Sequence, residues 1–105
     1  MRGDIYRFRA NKHAHGHEQR GTRYAVVVQA DYLNLSTLLV APTSTSARPS
    51  DFRPTITIDG TETRVLVEQM TAVNAETRLG DFAGRLDAEE LTELDRALAL
   101  VLGLF

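Results

Sequence analysis

Apolar positions along the chain follow two patterns. Residues 23–30, RYAVVVQA, place four apolar residues in an unbroken run bounded by polar ones, which predicts a short strand buried on both faces. Thr55-Ile56-Thr57-Ile58 alternates instead, Asp59-Gly60 follows, and a second β-rich run spans Arg64 to Val67. Aspartate-glycine between such runs predicts a hairpin, because glycine accepts the positive φ of a tight turn. The residues left over before Val65 predict a longer or bulged turn. GDIYRF (3–8) and STLLVAP (36–42) add two further strands. The second is expected to end at Pro42, which has no N–H for central pairing. The polar stretch TSTSARPSDFRP (43–54), with two prolines, reads as a loop.

The period changes after residue 86. Leu91, Leu94, Leu98 and Val101 recur at helical spacing, with Ala97 and Leu102 beside them. Asp87 and Glu90 have the spacing of a capping box at the start, and Gly103 is placed to end the helix after about four turns. Short strands followed by one helix predict an α+β domain over residues 1–105, in which the helix covers one face or end of a small, strongly bent sheet. A chain of 105 residues with 43% hydrophobic content supports one such core.

No stretch approaches the roughly 20 apolar residues of a membrane helix, and MRGDIYRF has no apolar core of a signal peptide. A cytoplasmic protein without membrane contact is expected. The absence of cysteine excludes disulfides, thiolate nucleophiles and cysteine-bound zinc. The net charge of −2 hides a division: residues 1–53 carry eight Arg/Lys against four acids, residues 54–105 four against ten. A basic half in an acidic protein points to an anionic partner, since phosphates respond to local potential.

Candidate chemistry concentrates in NKHAHGHEQRGTR (11–23). His13, His15 and His17 would share one face of a strand and could hold a metal. The neighbouring Ala14, Gly16 and Gly21 favour a loop, so exposed histidines weigh above a metal site and no metal is expected. No GxSxG elbow surrounds the serines and threonines, and GHEQRG lacks the GK[ST] end of a phosphate loop. What remains suits a phosphodiester handled without metal. Glu18 can take a proton, Arg23 opens a buried strand and has a fork matched to two phosphate oxygens, and hydroxyls at the end of the third strand can donate to phosphate. A surface ion pair of Glu18 and Arg23 is the plainer alternative.

Five ordered blocks, RGDIY, GHEQRGTR leading into YAVVVQ, VAPTS, VLVEQM and ALALVLGL, resemble the MazF/PemK toxins of bacterial toxin–antitoxin systems and cover nearly the whole chain. The resemblance implies a small SH3-like, strongly bent β-barrel with a C-terminal helix, normally a homodimer. It also implies a sequence-specific, cofactor-free endoribonuclease that cuts single-stranded RNA to 2′,3′-cyclic phosphate and 5′-hydroxyl ends, held inactive by a cognate antitoxin.

The family's G-x-E-x-x-G-x-R signature falls on Gly16, Glu18, Gly21 and Arg23. By resemblance Arg23 is the acid or charge stabiliser, with Glu18 assisting. The family's threonine falls on Ser44, or on Thr43 if the register slips by one. Lys12, His17, Arg20, Thr22, Tyr24 and Gln69 are the implied RNA contacts. Tyr24 replaces a usual proline and can stack on a base or join the core, and Thr71 after Met70 replaces a frequent basic residue. Some relatives of this fold bind gyrase instead of cutting RNA, so a non-catalytic binding toxin is the alternative.

Overall fold

The computed structural model of the chain describes residues 1–9 and 23–104. The elements are β1 (Asp4–Phe8), β2 (Tyr24–Val27), β3 (Leu38–Ser44), β4 (Thr55–Ile58), β5 (Thr61–Val65), a 3-10 turn (Val67–Gln69), β6 (Thr71–Val73), α1 (Ala75–Arg78), β7 (Leu79–Arg85) and α2 (Ala88–Leu102). The strands form one sheet of order β4-β5-β3-β2-β1-β7, with β6 also paired to β3. All the pairings are antiparallel. The result is a curled half-barrel closed by the C-terminal helix.

The unbroken apolar run explains why β2 lies inside. Val26 stands opposite Ile5 on β1 and Ala41 on β3 and faces the main core with Ile56, Val65, Val67 and Leu94. Ala25 and Val27 face the other way, into a second cluster with Val40 and Val73 against which Tyr6 and Phe8 pack. Burial on both faces, as the run predicts, continues to Gln29, past the last paired residue.

Three expectations need correction. The third strand does not stop at Pro42 but continues to Ser44. Pro42 sits where β3 exchanges one edge partner for another: β6 opposes Leu38 to Val40, β5 opposes Thr43 and Ser44. The missing N–H falls at that break, and the Pro42 carbonyl still accepts the Leu66 N–H at 2.8 Å. The hairpin turn is tight rather than long or bulged. Ile58 pairs directly with Thr61, and Asp59 (φ 50°) and Gly60 (φ 77°) both take positive φ, as a two-residue type I′ turn requires. The apolar stripe of α2 ends early: Leu94 and Ala97 are fully buried and Leu91 and Leu98 half-buried, whereas Val101 is exposed with Leu100 and Leu102.

The helix begins and ends as its sequence specifies. Asp87 accepts the Glu90 N–H at 2.8 Å, Glu90 accepts the Asp87 N–H at 3.0 Å, and Gly103 ends the helix in the left-handed region. The second Glu90 oxygen accepts the Thr57 N–H at 2.9 Å, tying the helix start to the edge strand β4. Among the described residues no helix is long and apolar enough to cross a membrane.

Asp4 ties the start of the chain to β7. Its buried carboxylate accepts the Met1 α-amino group at 2.8 Å and Arg85 Nε at 2.7 Å. Burial pushes its pKa up, but the hydrogen bonds and charges of these two cations outweigh that and hold it below the usual carboxylate range. A depressed folded-state pKa stabilises the protein above the unfolded value of about 4 and loses that contribution as pH falls through the depressed one. Asp4→Asn should therefore cost about 1–3 kcal/mol at pH 7 and flatten the acid limb of the stability profile. Urea denaturation at neutral and acid pH checks this; equal midpoints for both proteins at pH 7 would show that the pairing contributes nothing.

Candidate functional site

Antiparallel pairing brings distant parts of the sequence to one end of the half-barrel. Ala25 is opposite Pro42 at the end of the β2–β3 ladder, and just beyond it Arg23 and Ser44 line one cleft. A cleft of about 380 Å³ opens there, lined by Arg23, Tyr24, Thr43, Ser44 and Ser46 and, from the β4–β5 hairpin, by Asp59 and Thr63. The tight Asp59-Gly60 turn is what returns β5 alongside β3 and places the hairpin on the cleft wall.

The two neighbouring hydroxyls that the sequence could not separate have different environments. Thr43 is buried, 3% exposed, and its hydroxyl donates to the Tyr24 carbonyl at 2.9 Å. Its proton is committed to the sheet. Ser44 is half-buried, and its Oγ accepts the N–H groups of Ala47 (3.1 Å) and Ser46 (3.3 Å), with the Ser46 hydroxyl at 3.2 Å. A hydroxyl has one proton and two lone pairs. Two backbone donors occupy the Ser44 lone pairs, so its proton points to the Ser46 hydroxyl, an exposed acceptor that a ligand oxygen in the cleft could replace.

Arg23 is half-buried where the chain enters β2, and its carbonyl accepts the Phe8 N–H at 2.9 Å. Its backbone is thus held by β1 while no described residue pairs with its guanidinium. Arg23 and Asp59 are the charged residues on the cleft wall. This is a small polar site with a fixed hydroxyl donor and an uncommitted guanidinium, suited to a phosphate group.

The remaining sequence-derived candidates distribute differently. Tyr24 packs against the main core and also lines the cleft. Gln69 is exposed on the 3-10 turn and does not line the cleft. Lys12, His17, Glu18, Arg20 and Thr22, and with them His13 and His15, lie outside the described residues. Among the described residues no group of His, Asp or Glu is arranged to hold a metal. Sequence reasoning missed Asp59, Thr63 and Ser46 as wall residues. Only the Asp-Gly turn carried a signal for them, and it marked a hairpin without saying what the hairpin faces.

Glu68 fixes the far end of the polar loop. Arg53 donates to it through Nε and Nη2, the shortest contact being 2.7 Å, and stacks over the Phe52 ring at 5.4 Å. The hydrogen bonds from Arg53 hold the Glu68 carboxyl below its usual pKa against the opposing effect of burial. The loop between β3 and β4 is thereby secured at both ends, by Ser44 and by Glu68.

Comparison with known proteins agrees with this architecture. A family model described as PemK-like, MazF-like toxin of type II toxin-antitoxin system matches residues 1–102. A Mycobacterium tuberculosis H37Rv protein named "Putative toxin Rv3098A" is 41% identical over 104 residues, covering 99% of this chain and 98% of its own. An endoribonuclease solved in complex with its cognate antitoxin, from a mycobacterial species, superposes with a TM-score of 0.80 at 17% identity, over 100% of this chain and 96% of that one. MazF of Deinococcus radiodurans superposes with a TM-score of 0.77 at 24% identity, over 97% of this chain and 94% of that one. At these identities the structural likeness establishes the curled half-barrel and its helix, as the sequence pattern anticipates. The family match over nearly the whole length establishes more: the chain belongs to the PemK-like, MazF-like toxins of type II toxin–antitoxin systems.

Proposed function

We propose that this protein is a metal-independent endoribonuclease toxin acting on single-stranded RNA in the cytoplasm. The observation that carries the reading is the meeting of Arg23 and Ser44 on one cleft, the first uncommitted and the second held as a donor. In RNA the 2′-hydroxyl is itself the nucleophile, so the protein need supply only proton transfer and stabilisation of the charge that develops on the phosphate. The Arg23 guanidinium binds the non-bridging oxygens and strengthens its hold as negative charge grows on them. Ser44 donates to the same phosphate. Glu18 takes the 2′-hydroxyl proton as the 2′-oxygen bonds to phosphorus, the P–O5′ bond breaks, and the leaving 5′-oxygen takes a proton from water, giving cyclic phosphate and 5′-hydroxyl ends. Thr43 serves the sheet.

Family membership, and the antitoxin bound to one structural relative, support a cognate antitoxin as the natural inhibitor. A homodimer completes the reading. Leu100, Leu102 and Leu104 leave an exposed apolar surface at the end of α2 that a second copy would cover. A single species of dimer mass by light scattering at micromolar concentration is expected; a monomer there would exclude a shared groove.

Incubated with a long RNA in EDTA, the purified protein should cut at a short preferred sequence. Arg23→Ala and Ser44→Ala should each lower kcat by about 10²–10³ at unchanged folding. Thr43→Val should instead lower stability by about 1 kcal/mol and leave cleavage within a few-fold. Cleavage that requires added metal, or that survives Arg23→Ala, contradicts this mechanism. Growth arrest with intact RNA would replace it with the non-catalytic binding toxin.

A further inference from the structure

Among the described residues, Arg64 is the side chain with buried polar atoms that no hydrogen bond satisfies. It lies on β5 with its side chain only 16% exposed, and its Nε and Nη1 are buried without a hydrogen-bond partner. Its remaining nitrogen faces the exposed Glu62 carboxylate at 4.0 Å, beyond hydrogen-bond distance. Three other arginines with half-buried side chains are engaged: Arg53 grips Glu68, Arg2 bonds the Val28 carbonyl and Asp95, and Arg78 bonds the Arg9 carbonyl; Arg23, at the cleft, is the other whose guanidinium no described residue pairs with. A buried guanidinium with idle donors is costly to a fold. Packing does not explain its presence, since methionine or leucine would fill β5 without that cost.

Its position in the sheet supplies a reason. Arg64 is directly opposite Ser44 across the β3–β5 pair, and Arg23, at the start of β2, shares the cleft wall with Ser44. Directly opposed residues of antiparallel strands lie within about 4.5–5.5 Å at Cα. The candidate hydroxyl donor therefore has one arginine as its cross-strand neighbour and a second on the cleft it lines. Arg64 is not part of the cleft wall, so it acts on a phosphate at Ser44 through its charge and not by contact. The nearest counter-charge, Glu62 at 4.0 Å, is exposed and screened by solvent, so it offsets that charge only in part.

We propose that Arg64 is a positioning residue for the phosphodiester: a second cation, behind Ser44, that raises the potential of the cleft and draws the backbone of single-stranded RNA onto Arg23 and Ser44. The inference rests on the RNA reading above and adds to it a residue outside the family signature. It predicts an unusual pairing of effects, in which removal of the charge weakens binding of nucleic acid while the fold stays as stable or gains stability.

The test uses Arg64→Met and Arg64→Lys in the full chain. The probe is a fluorescent single strand of about 20 nucleotides, of mixed sequence and 2′-methoxylated throughout, which cannot be cut by 2′-hydroxyl attack. Arg64→Met should bind it about 5–10-fold more weakly at low salt, reduce the slope of log K against log salt by about 0.7, and melt no lower than wild type. Arg64→Lys should restore most of the affinity and the slope. Unchanged affinity and slope in Arg64→Met would overturn the inference, as would a lowered melting temperature with binding that lysine does not rescue. If the wild type fails to bind the strand, the RNA reading falls and this inference with it. Normal wild-type binding with an indifferent Arg64→Met removes this inference alone.

Discussion

The structure depends on β3 changing partners midway. One strand cannot pair with β6 and β5 along the same edge at the same residues, so the ladder must break, and it breaks at Pro42. A residue with an N–H would carry an unmet donor into that break, in a region where Ala41 is fully buried and Thr43 nearly so. Proline removes the donor, and its carbonyl takes the Leu66 N–H so that the chain can leave β5 for the 3-10 turn. The curl of the half-barrel follows from this exchange. So does the site, because the two residues beyond the break, Thr43 and Ser44, are delivered to the open end of the sheet beside β2.

Alternation then assigns those two residues different work. Thr43 continues the inward side of β3 and gives its proton to the Tyr24 carbonyl, closing the β2–β3 ladder at its last position. Ser44, one step on, receives the returning loop on its oxygen. That loop would otherwise hang on a single residue, but the Arg53 and Glu68 pair holds it where it rejoins the sheet. The far wall is held as well: the Asp59-Gly60 turn sets β5 against β3, and Glu90 of the helix cap takes a backbone donor from β4. Core, cap and turn together immobilise the Ser44 hydroxyl, and preorganised donors of this kind are worth most where charge develops on a phosphate.

The strong signals in the sequence were those enforced by local physics. The valine run of β2, the Thr-Ile alternation of β4 and the cap and stop of α2 each need only a few neighbouring residues to be read, and each is present. Pro42 misled because its missing N–H argues against a central strand only where the ladder needs that N–H, and the exchange of partners is a fact of tertiary structure. The strands β6 and β7 carry no comparable pattern: β7 holds two glycines and shifts register against β1, and its residues are at most half-buried. At the site, Arg23 and Ser44 were legible from family motifs. The proposed choice of Ser44 over Thr43 as the donor to phosphate was not, because it turns on which backbone groups each hydroxyl meets.

Arg64 illustrates the limit of reading strands by hydropathy alone. In Thr63-Arg64-Val65 an arginine between buried neighbours looks like the ordinary outward member of an alternating strand, and outward residues are normally solvated. Here the curl of the sheet withdraws it from water and leaves its Nε and Nη1 without a hydrogen-bond partner, with only the exposed Glu62 carboxylate at 4.0 Å, so a position that sequence marks as inconsequential is the one proposed to set the local field. Electrostatic preorganisation and fold stability pull in opposite directions at such a residue: the desolvation that makes its charge effective is the same desolvation that burdens the folded state. A toxin domain with a modest core can carry that burden at one position because the helix and the doubly buried β2 stabilise the sheet independently of the cleft.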